Sequence, residues 1–152
     1  MFTEVRAYFL FQNAFRYEIS NFSYGYDKGY ESVHNLKYWN LDNYLGIGPS
    51  AHSLINNKRF YYENSIQNFI KEEIILKDSV GGTVEEYLML TLRLSVGCRN
   101  DSFKKKFGIC IPDEYYKKAQ KLPSMAICDE VGIRLTKKGL LVSNSVITNI
   151  LF

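Results

Sequence analysis

The chain has 152 residues, enough for one domain or two small ones that bury a hydrophobic core without disulfides. Hydrophobic residues make up 46% and charged residues 23%, an ordinary globular composition that excludes a fibrous or disordered protein. Three widely spaced cysteines and the lack of any run of about 20 apolar residues argue against a disulfide framework and a membrane-spanning helix. We therefore expect a cytoplasmic protein that is not integral to a membrane.

The charged and aromatic residues are compatible with several kinds of binding partner. The net charge is +3; residues 83–152 carry 11 Lys and Arg against 7 Asp and Glu, whereas residues 1–82 carry 8 against 9. The basic second half could meet an acidic partner or nucleic acid, or its lysines could simply be solvated on helix surfaces. The 12 Tyr and 10 Phe favour either flat ligands or aromatic packing.

The first half of the chain combines helical and strand-like patterns, as an α/β protein does. The apolar spacing of residues 1–13 predicts a helix, and the alternation in FRYEISNF (15–22) predicts a strand. The acid in this predicted strand, Glu18, could contact a ligand or lie on the surface. A loop with two glycines, SYGYDKGYESV (23–33), follows.

Three further segments complete this half. NYLGIGPSAHSLI (43–55) predicts a buried strand whose glycines allow something to approach the backbone closely. KRFYYEN (58–64) predicts a short edge strand, and SIQNFIKEEIIL (65–76) predicts a helix with Ser65 as its N-cap. The apolar residues expected to face inward from this helix are Ile66, Phe69 and Ile70.

A domain boundary is predicted at KDSVGG (77–82), where small and polar residues with two consecutive glycines precede a strong helical pattern. We therefore expect a first domain over residues 1–77, a linker over 78–82 and a mostly helical domain over 83–152.

The second domain has clear start and stop signals. Thr83 lies three residues before Glu86, the spacing of a capping box, and the apolar helix that follows should form the centre of the core. NDSFKKKFG (100–108) and IPDEYYKKAQKL (111–122) predict two more helices, the first of them ended by its glycine. A short strand and two helices are predicted over 133–152, and the order of elements resembles a winged helix.

The segment HNLKYWN (34–40) holds one of two histidines and the only tryptophan. Imidazole can ligate a metal, shuttle a proton or contact heme, and a hydrogen-bonded structural histidine is the ordinary alternative. On a helix Tyr38 would share a face with His34, which would form a wall for a planar ligand or a plain aromatic cluster. His52 follows the glycine-containing strand, a common place for ligand contacts, although GIGPSA lacks the spacing of a phosphate loop.

Six blocks, in order, resemble the oxygen-independent coproporphyrinogen III oxidase-like radical SAM family, and specifically its heme chaperone branch, the HemW-type proteins. They are YEISNF (17–22), HNLKYWN (34–40), YLGIGPSAHS (44–53), EEYLMLTLRLSVG (85–97), FKKKFG (103–108) and RLTKKGLLVSN (134–144). The last three look like the family's C-terminal domain. The resemblance covers nearly the whole chain, and ordered agreement across six blocks is more specific than any one of them.

The resemblance implies a fold and a set of ligands. The parent proteins form an incomplete TIM-type barrel that carries a [4Fe–4S] cluster and S-adenosylmethionine, followed by a small helical domain. This chain would hold the C-terminal piece of that barrel and a small winged-helix-like domain. In the chaperone branch, heme is bound and passed to apoproteins, and the HNxxYW motif is proposed to help bind it.

The same resemblance assigns roles to individual residues. The motif corresponds to His34, Asn35, Tyr38 and Trp39. His34 would be an axial or pocket ligand of heme, with Tyr38 and Trp39 against the macrocycle. Ala51 and His52 would lie beside S-adenosylmethionine.

The chain departs from the family because it has no CxxxCxxC, the motif that binds the cluster. Cleavage of S-adenosylmethionine needs an electron from the cluster, so we expect that this polypeptide alone is not catalytic. It would then be a C-terminal fragment or the partner of a separate N-terminal barrel half. The alternatives are a portion of an oxygen-independent coproporphyrinogen III oxidase of porphyrin biosynthesis and a winged-helix nucleic-acid-binding module. No nucleic acid is expected as a partner, because the sequence has no dense basic recognition helix.

Overall fold

The structure is a computed structural model that describes residues 14–24, 29–71 and 74–152, and of residues 74–80 it describes the backbone. The helix predicted over residues 1–13 lies outside this range. The described part contains eight strands and seven helices, so the predicted mixture of α and β structure is confirmed. None of the helices in these ranges has the length and apolar character needed to cross a membrane.

The strands form three small antiparallel sheets, with the orders β1-β2, β3-β4-β5 and β6-β8-β7. The strands are β1 (Ala14–Arg16), β2 (Phe22–Tyr24), β3 (His52–Ile55), β4 (Lys58–Tyr62), β5 (Ile74–Val80), β6 (Cys98–Arg99), β7 (Ala126–Asp129) and β8 (Gly132–Leu135). The helices are α1 (Val33–Trp39), α2 (Ile66–Ile70), α3 (Val84–Thr91), α4 (Asn100–Phe107), α5 (Asp113–Gln120), α6 (Lys137–Leu141) and α7 (Ser143–Leu151).

The start and stop signals of the second half are confirmed. The Thr83 hydroxyl accepts from the Glu86 N–H at 3.2 Å and begins α3. Gly108 ends α4 in the left-handed region with φ 74°, and the Thr136 hydroxyl caps α6 by accepting from the Gly139 N–H at 3.0 Å. These signals act between residues that are close in sequence, so local chemistry decides them.

One hydrophobic core extends through the second half and reaches into the first. Leu88, Leu92 and Phe103 are completely buried in it. The prediction that the first helix of this half lies at the centre of the core is therefore confirmed. Two buried leucines from the first half, Leu41 and Leu54, belong to the same cluster and connect the segment after α1 and strand β3 to the helices.

Several details of the first half differ from prediction. The predicted edge strand KRFYYEN contains β4, which is the central strand of its sheet because β3 and β5 pair with it on either side. The predicted strand over 15–22 divides into β1, a turn and the start of β2, and β2 occupies part of the predicted loop. Strand pairing depends on segments distant in sequence, so local periodicity did not locate these strands.

The helix predicted over 65–76 is also shorter. Ser65 is its N-cap as expected, since its hydroxyl accepts from the Asn68 N–H at 3.2 Å. The helix packs through Phe69, whose ring lies edge to face on that of Tyr62 at 5.0 Å. Ile66 and Ile70 are 64% and 74% exposed, so the expectation that they face inward is wrong.

The predicted linker is partly a strand. Residues 78–80 belong to β5, which pairs with β4 through Lys58 and Val80. The two glycines that follow connect β5 to α3, and Gly82 has φ 80°. The division of the chain into domains over 1–77 and 83–152 stays a prediction.

Candidate functional site

Helix α1 contains most of the HNLKYWN segment and is defined by its two ends. The Ser32 hydroxyl accepts from the Asn35 N–H at 3.3 Å and caps the start. At the other end the Leu41 N–H donates to the Tyr38 carbonyl at 3.1 Å, and the Asp42 N–H donates to the Lys37 carbonyl at 2.9 Å. This pair of bonds is a Schellman motif.

The residue at the left-handed position of this motif is a leucine where glycine is usual. Leu41 has φ 55°, a conformation that costs a residue with a Cβ about 1–2 kcal/mol. Its side chain is buried in the common core, which stabilises by roughly 1.5–3 kcal/mol. Burial thus offsets the strain and fixes the end of α1 against the second half.

Three rings lie in series along one side of α1. The His34 and Tyr38 rings are edge to face with centroids 4.9 Å apart, which confirms the predicted shared face. Tyr38 in turn contacts Tyr44 edge to face at 4.5 Å. Tyr44 is held in place because it exchanges backbone hydrogen bonds of 2.8 and 2.9 Å with Leu54 of β3.

The His34 imidazole is exposed, and no hydrogen bond engages it within the part of the chain that the structure describes. Among the described residues, His34 is therefore not held by a hydrogen bond. Tyr38 is 38% exposed, so part of its side chain is accessible to a ligand. The arrangement presents an exposed imidazole beside an aromatic side chain.

Trp39 points elsewhere. The guanidinium of Arg93, which follows α3, lies 5.9 Å from the centroid of the indole ring. Arg93 is itself oriented because it donates to the Met89 carbonyl at 3.2 Å and to Asn144 Oδ1 at 3.4 Å. The structure therefore joins His34 and Tyr38 but turns Trp39 toward the second half of the chain.

The remaining motif residue, Asn35, is partly buried. Its backbone N–H serves the cap of α1, and no hydrogen bond to its side-chain amide occurs among the described residues. Its side chain therefore has donors and an acceptor to spare.

Ala51 and His52 lie at the start of β3. The His52 ring is exposed and tilted against that of Tyr61 on β4, with centroids 5.0 Å apart. Ala51 is partly buried, and its carbonyl accepts from the Tyr62 N–H at 3.1 Å. No ring contact joins His52 to His34 within the described ranges.

The glycine-containing segment before β3 is irregular and not a buried strand. Leu45 and Ile47 are 59% and 78% exposed. Gly46 does permit a close approach, since a Cβ there would lie 2.3 Å from the His52 carbonyl oxygen. The group that approaches is the chain's own β3, a role that the sequence did not distinguish from ligand access.

Glu18 is completely buried, so its interpretation as a surface residue is wrong. One carboxylate oxygen, Oε2, accepts from the Ser20 N–H at 3.0 Å. The other, Oε1, has no hydrogen-bond partner among the described residues, and neither has the buried Ser23 hydroxyl. The Glu18 backbone pairs with Leu94, which attaches the β1–β2 hairpin to the end of α3.

The cysteines do not fit an iron–sulfur cluster, which requires several thiolates close together. Burial raises the pKa of the Cys98 thiol to about 11, which disfavours the thiolate, while Cys110 is exposed. In the described part of the chain no three His, Cys, Asp or Glu side chains are grouped as metal ligands.

The fold is shared with part of a solved protein structure. The chain superposes on coproporphyrinogen III oxidase (HemN) from Escherichia coli, a radical SAM enzyme, with a TM-score of 0.68. The match covers 99% of this chain and 40% of that one at 16% sequence identity. The described residues thus have the HemN-type radical SAM fold.

Sequence comparison finds similar heme chaperones. Heme chaperone HemW from Lactococcus lactis and heme chaperone HemW from Bacillus subtilis are each 29% identical over 141 residues, 86% of this chain. A mouse protein, radical S-adenosyl methionine domain-containing protein 1, mitochondrial, is 28% identical over 157 residues, covering 90% of this chain and 35% of its own length. No family model matches the sequence. The resemblance to HemW-type proteins is nevertheless confirmed by these relatives and by the fold. The chain spans 36% of the length of the two bacterial chaperones it matches.

Proposed function

We propose that this chain is the heme-contacting, C-terminal part of a heme chaperone related to oxygen-independent coproporphyrinogen III oxidase. The observation that carries the proposal is the exposed His34 imidazole, which makes no hydrogen bond among the described residues, beside the partly exposed Tyr38 side chain. A planar macrocycle needs an aromatic surface to lie on and a nitrogen ligand for its iron. Helix α1 offers both.

The other residues of the motif would frame the heme. Tyr44 extends the aromatic surface beyond Tyr38, and Asn35 would offer its free amide to a polar edge of the macrocycle. Trp39 would affect heme binding indirectly, because its ring contacts the Arg93 guanidinium and so helps to position α1.

The architecture that we propose follows the family. Residues 1–77 would be the C-terminal fragment of an incomplete TIM-type barrel, residues 78–82 the linker and residues 83–152 a small winged-helix-like domain. In support of the last, β7 and β8 form an antiparallel hairpin that lies in the chain between α5 and α6. The hairpin would be the wing.

The partners that we propose are a heme-accepting apoprotein and an N-terminal barrel half, in the cytoplasm. That half would supply the [4Fe–4S] cluster and the main contacts to S-adenosylmethionine, since the cysteines of this chain do not fit the cluster. Ala51 and His52 would lie on the side of β3 nearest to S-adenosylmethionine. His52 has an exposed ring for such a contact.

Heme titration of the full chain tests the His34 assignment. Wild-type chain should produce a Soret band that differs from that of free heme, and His34→Ala should lose it or weaken the affinity about tenfold or more. His52→Ala is the matched control, because it removes the other exposed histidine and should bind heme like the wild type. Identical titrations of wild type and His34→Ala would remove His34 as a ligand.

The HemN-type fold favours a second candidate, a portion of a coproporphyrinogen III oxidase. This chain would then complete an active site whose cluster and S-adenosylmethionine are bound by the N-terminal half. The test is to mix the chain with a separately expressed N-terminal half and measure consumption of coproporphyrinogen. Turnover would establish the oxidase, and its absence in a mixture that binds heme would favour the chaperone.

A further inference from the structure

Helix α1 cannot be stable by itself. It has seven residues, whereas isolated helices shorter than about 12–15 residues are marginal in water. None of its residues is buried, so its own side chains contribute little core packing. Its position must therefore be fixed at its ends.

One attachment is Lys106 of α4. Its ammonium donates to the carbonyl oxygens of Asn40 at 3.2 Å and Leu41 at 2.7 Å, directly after the last turn of α1. Carbonyls at this end of a helix lack helical partners, and a cation there also meets the negative end of the helix dipole. The contact joins residues that are 65 and 66 positions apart in the sequence.

Lys106 is itself held in place. Its ammonium lies 5.4 Å from the centroid of the Tyr87 ring, and Tyr87 is buried against Phe103 and Phe107. The lysine therefore reaches α1 from a rigid aromatic base on α3 and α4. A buried aromatic base lowers the entropy that the long side chain loses on forming these bonds.

The second attachment is Arg93, whose guanidinium lies over the Trp39 ring. Its bonds to Met89 and Asn144 tie it to α3 and α7. Lys106 holds the end of the helix backbone, and Arg93 holds a side chain on the face turned away from His34. Two contacts at different points fix the rotation of a helix about its axis, which one contact would leave free.

We propose that Lys106 and Arg93 are positioning residues that fix the rotation of α1 so that Tyr38 meets Tyr44 and His34 lies beside Tyr38. The consequence for heme rests on the function proposed above, whereas the positioning itself does not. The helical second half would thus be part of the heme site without touching heme.

The only tryptophan of the chain is Trp39, so its fluorescence reports on α1 alone. In the full chain, Lys106→Met should raise the acrylamide quenching constant of Trp39 roughly twofold, because α1 detaches more often. Heme affinity should fall about tenfold, as expected for the loss of a charge-assisted hydrogen bond. Lys106→Arg should restore much of both, since guanidinium can donate to the same carbonyls.

The matched control is Lys105→Met, which removes a neighbouring charge. Lys105 lines a cleft of about 380 Å³ together with Asn40 and Lys106, but it makes no hydrogen bond, ion pair or ring contact with α1 among the described residues. This variant should match the wild type in both measurements. Equal Trp39 quenching in wild type and Lys106→Met would overturn the proposal.

If Lys106→Met does not fold, Arg93→Met provides a second variant. It should also increase the acrylamide quenching of Trp39. Unchanged quenching in Arg93→Met would refute the role of Arg93. If the wild type binds no heme, the proposed function fails, while the Trp39 measurements still decide whether these residues position α1.

Discussion

The Tyr38 ring meets the Tyr44 ring edge to face, with centroids 4.5 Å apart. This contact connects α1 to the segment that pairs with β3, because Tyr44 and Leu54 exchange both backbone hydrogen bonds. Aromatic pairs in this geometry contribute about 0.5–1.5 kcal/mol beyond their burial. Tyr44 thus belongs to the candidate site.

Replacing Tyr44 by alanine should weaken heme binding about twofold to tenfold, because Tyr38 loses the ring that supports it. Tyr44→Phe keeps the ring and should bind like the wild type in the same Soret titration. Tyr30→Ala is the control, since Tyr30 is 69% exposed and has no ring contact among the described residues. Equal affinity of Tyr44→Ala and wild type would separate Tyr44 from the site.

Thr83→Ala should lower the free energy of unfolding by about 1 kcal/mol, the usual value of an N-cap. The Thr83 hydroxyl accepts from the Glu86 N–H, while the Glu86 carboxylate accepts from the Gly82 N–H at 2.7 Å and pairs with Arg59. Urea unfolding followed by circular dichroism measures the change. Thr148→Ala, on the exposed side of α7, should change stability by less than half as much.

Gly132 and Gly108 should respond differently to alanine. Both have positive φ, of 147° and 74°, but a Cβ on Gly132 would lie 2.0 Å from the Cys98 carbonyl oxygen, whereas a Cβ on Gly108 meets no atom within 4 Å. Gly108→Ala should therefore cost only conformational strain, about 1–2 kcal/mol. Gly132→Ala should cost more than that, because β6 must separate from β8. The urea midpoints of the two variants measure this difference. Equal losses of stability in Gly108→Ala and Gly132→Ala would contradict the close approach of Gly132 to the Cys98 carbonyl.

Stability should fall in alkaline solution, in part through Cys98. Burial raises the pKa of its thiol from 9.0 to about 11, although a hydrogen bond with Thr91 acts in the opposite direction. As the pH rises above about 9, the unfolded chain loses this proton first, so the contribution is complete below that pH and is lost as pH approaches 11. The loss attributable to Cys98 is roughly 2–3 kcal/mol.

The measurement is the urea midpoint at about pH 8, below the window in which the two states differ in bound protons, and at about pH 10.5, inside it. Cys98→Ala should show a smaller fall than the wild type, and Cys110→Ala, at an exposed position, should show the same fall as the wild type. Burial also raises the pKa of Tyr87 to about 12, so its effect has the same sign at higher pH. A fall that is identical in Cys98→Ala and wild type would contradict the assignment.

The sequence alone predicted what depends on neighbours within about one helical turn. Ser65 and Thr83 cap helices as expected, Gly108 ends one, and His34 shares a face with Tyr38. The HNxxYW block, set among the other family blocks, also indicated the HemW-type resemblance that the relatives confirm.

Only the tertiary structure decided which distant residues complete the site. Arg93 turns Trp39 away from His34, Lys106 holds the end of α1, and Leu41 adopts a left-handed conformation because its side chain is buried. It also made β4 a central strand and buried Glu18. Each of these outcomes follows from contacts between segments far apart in the chain. Local periodicity carries no information about such contacts, because burial and pairing are decided by whichever segments the fold brings together.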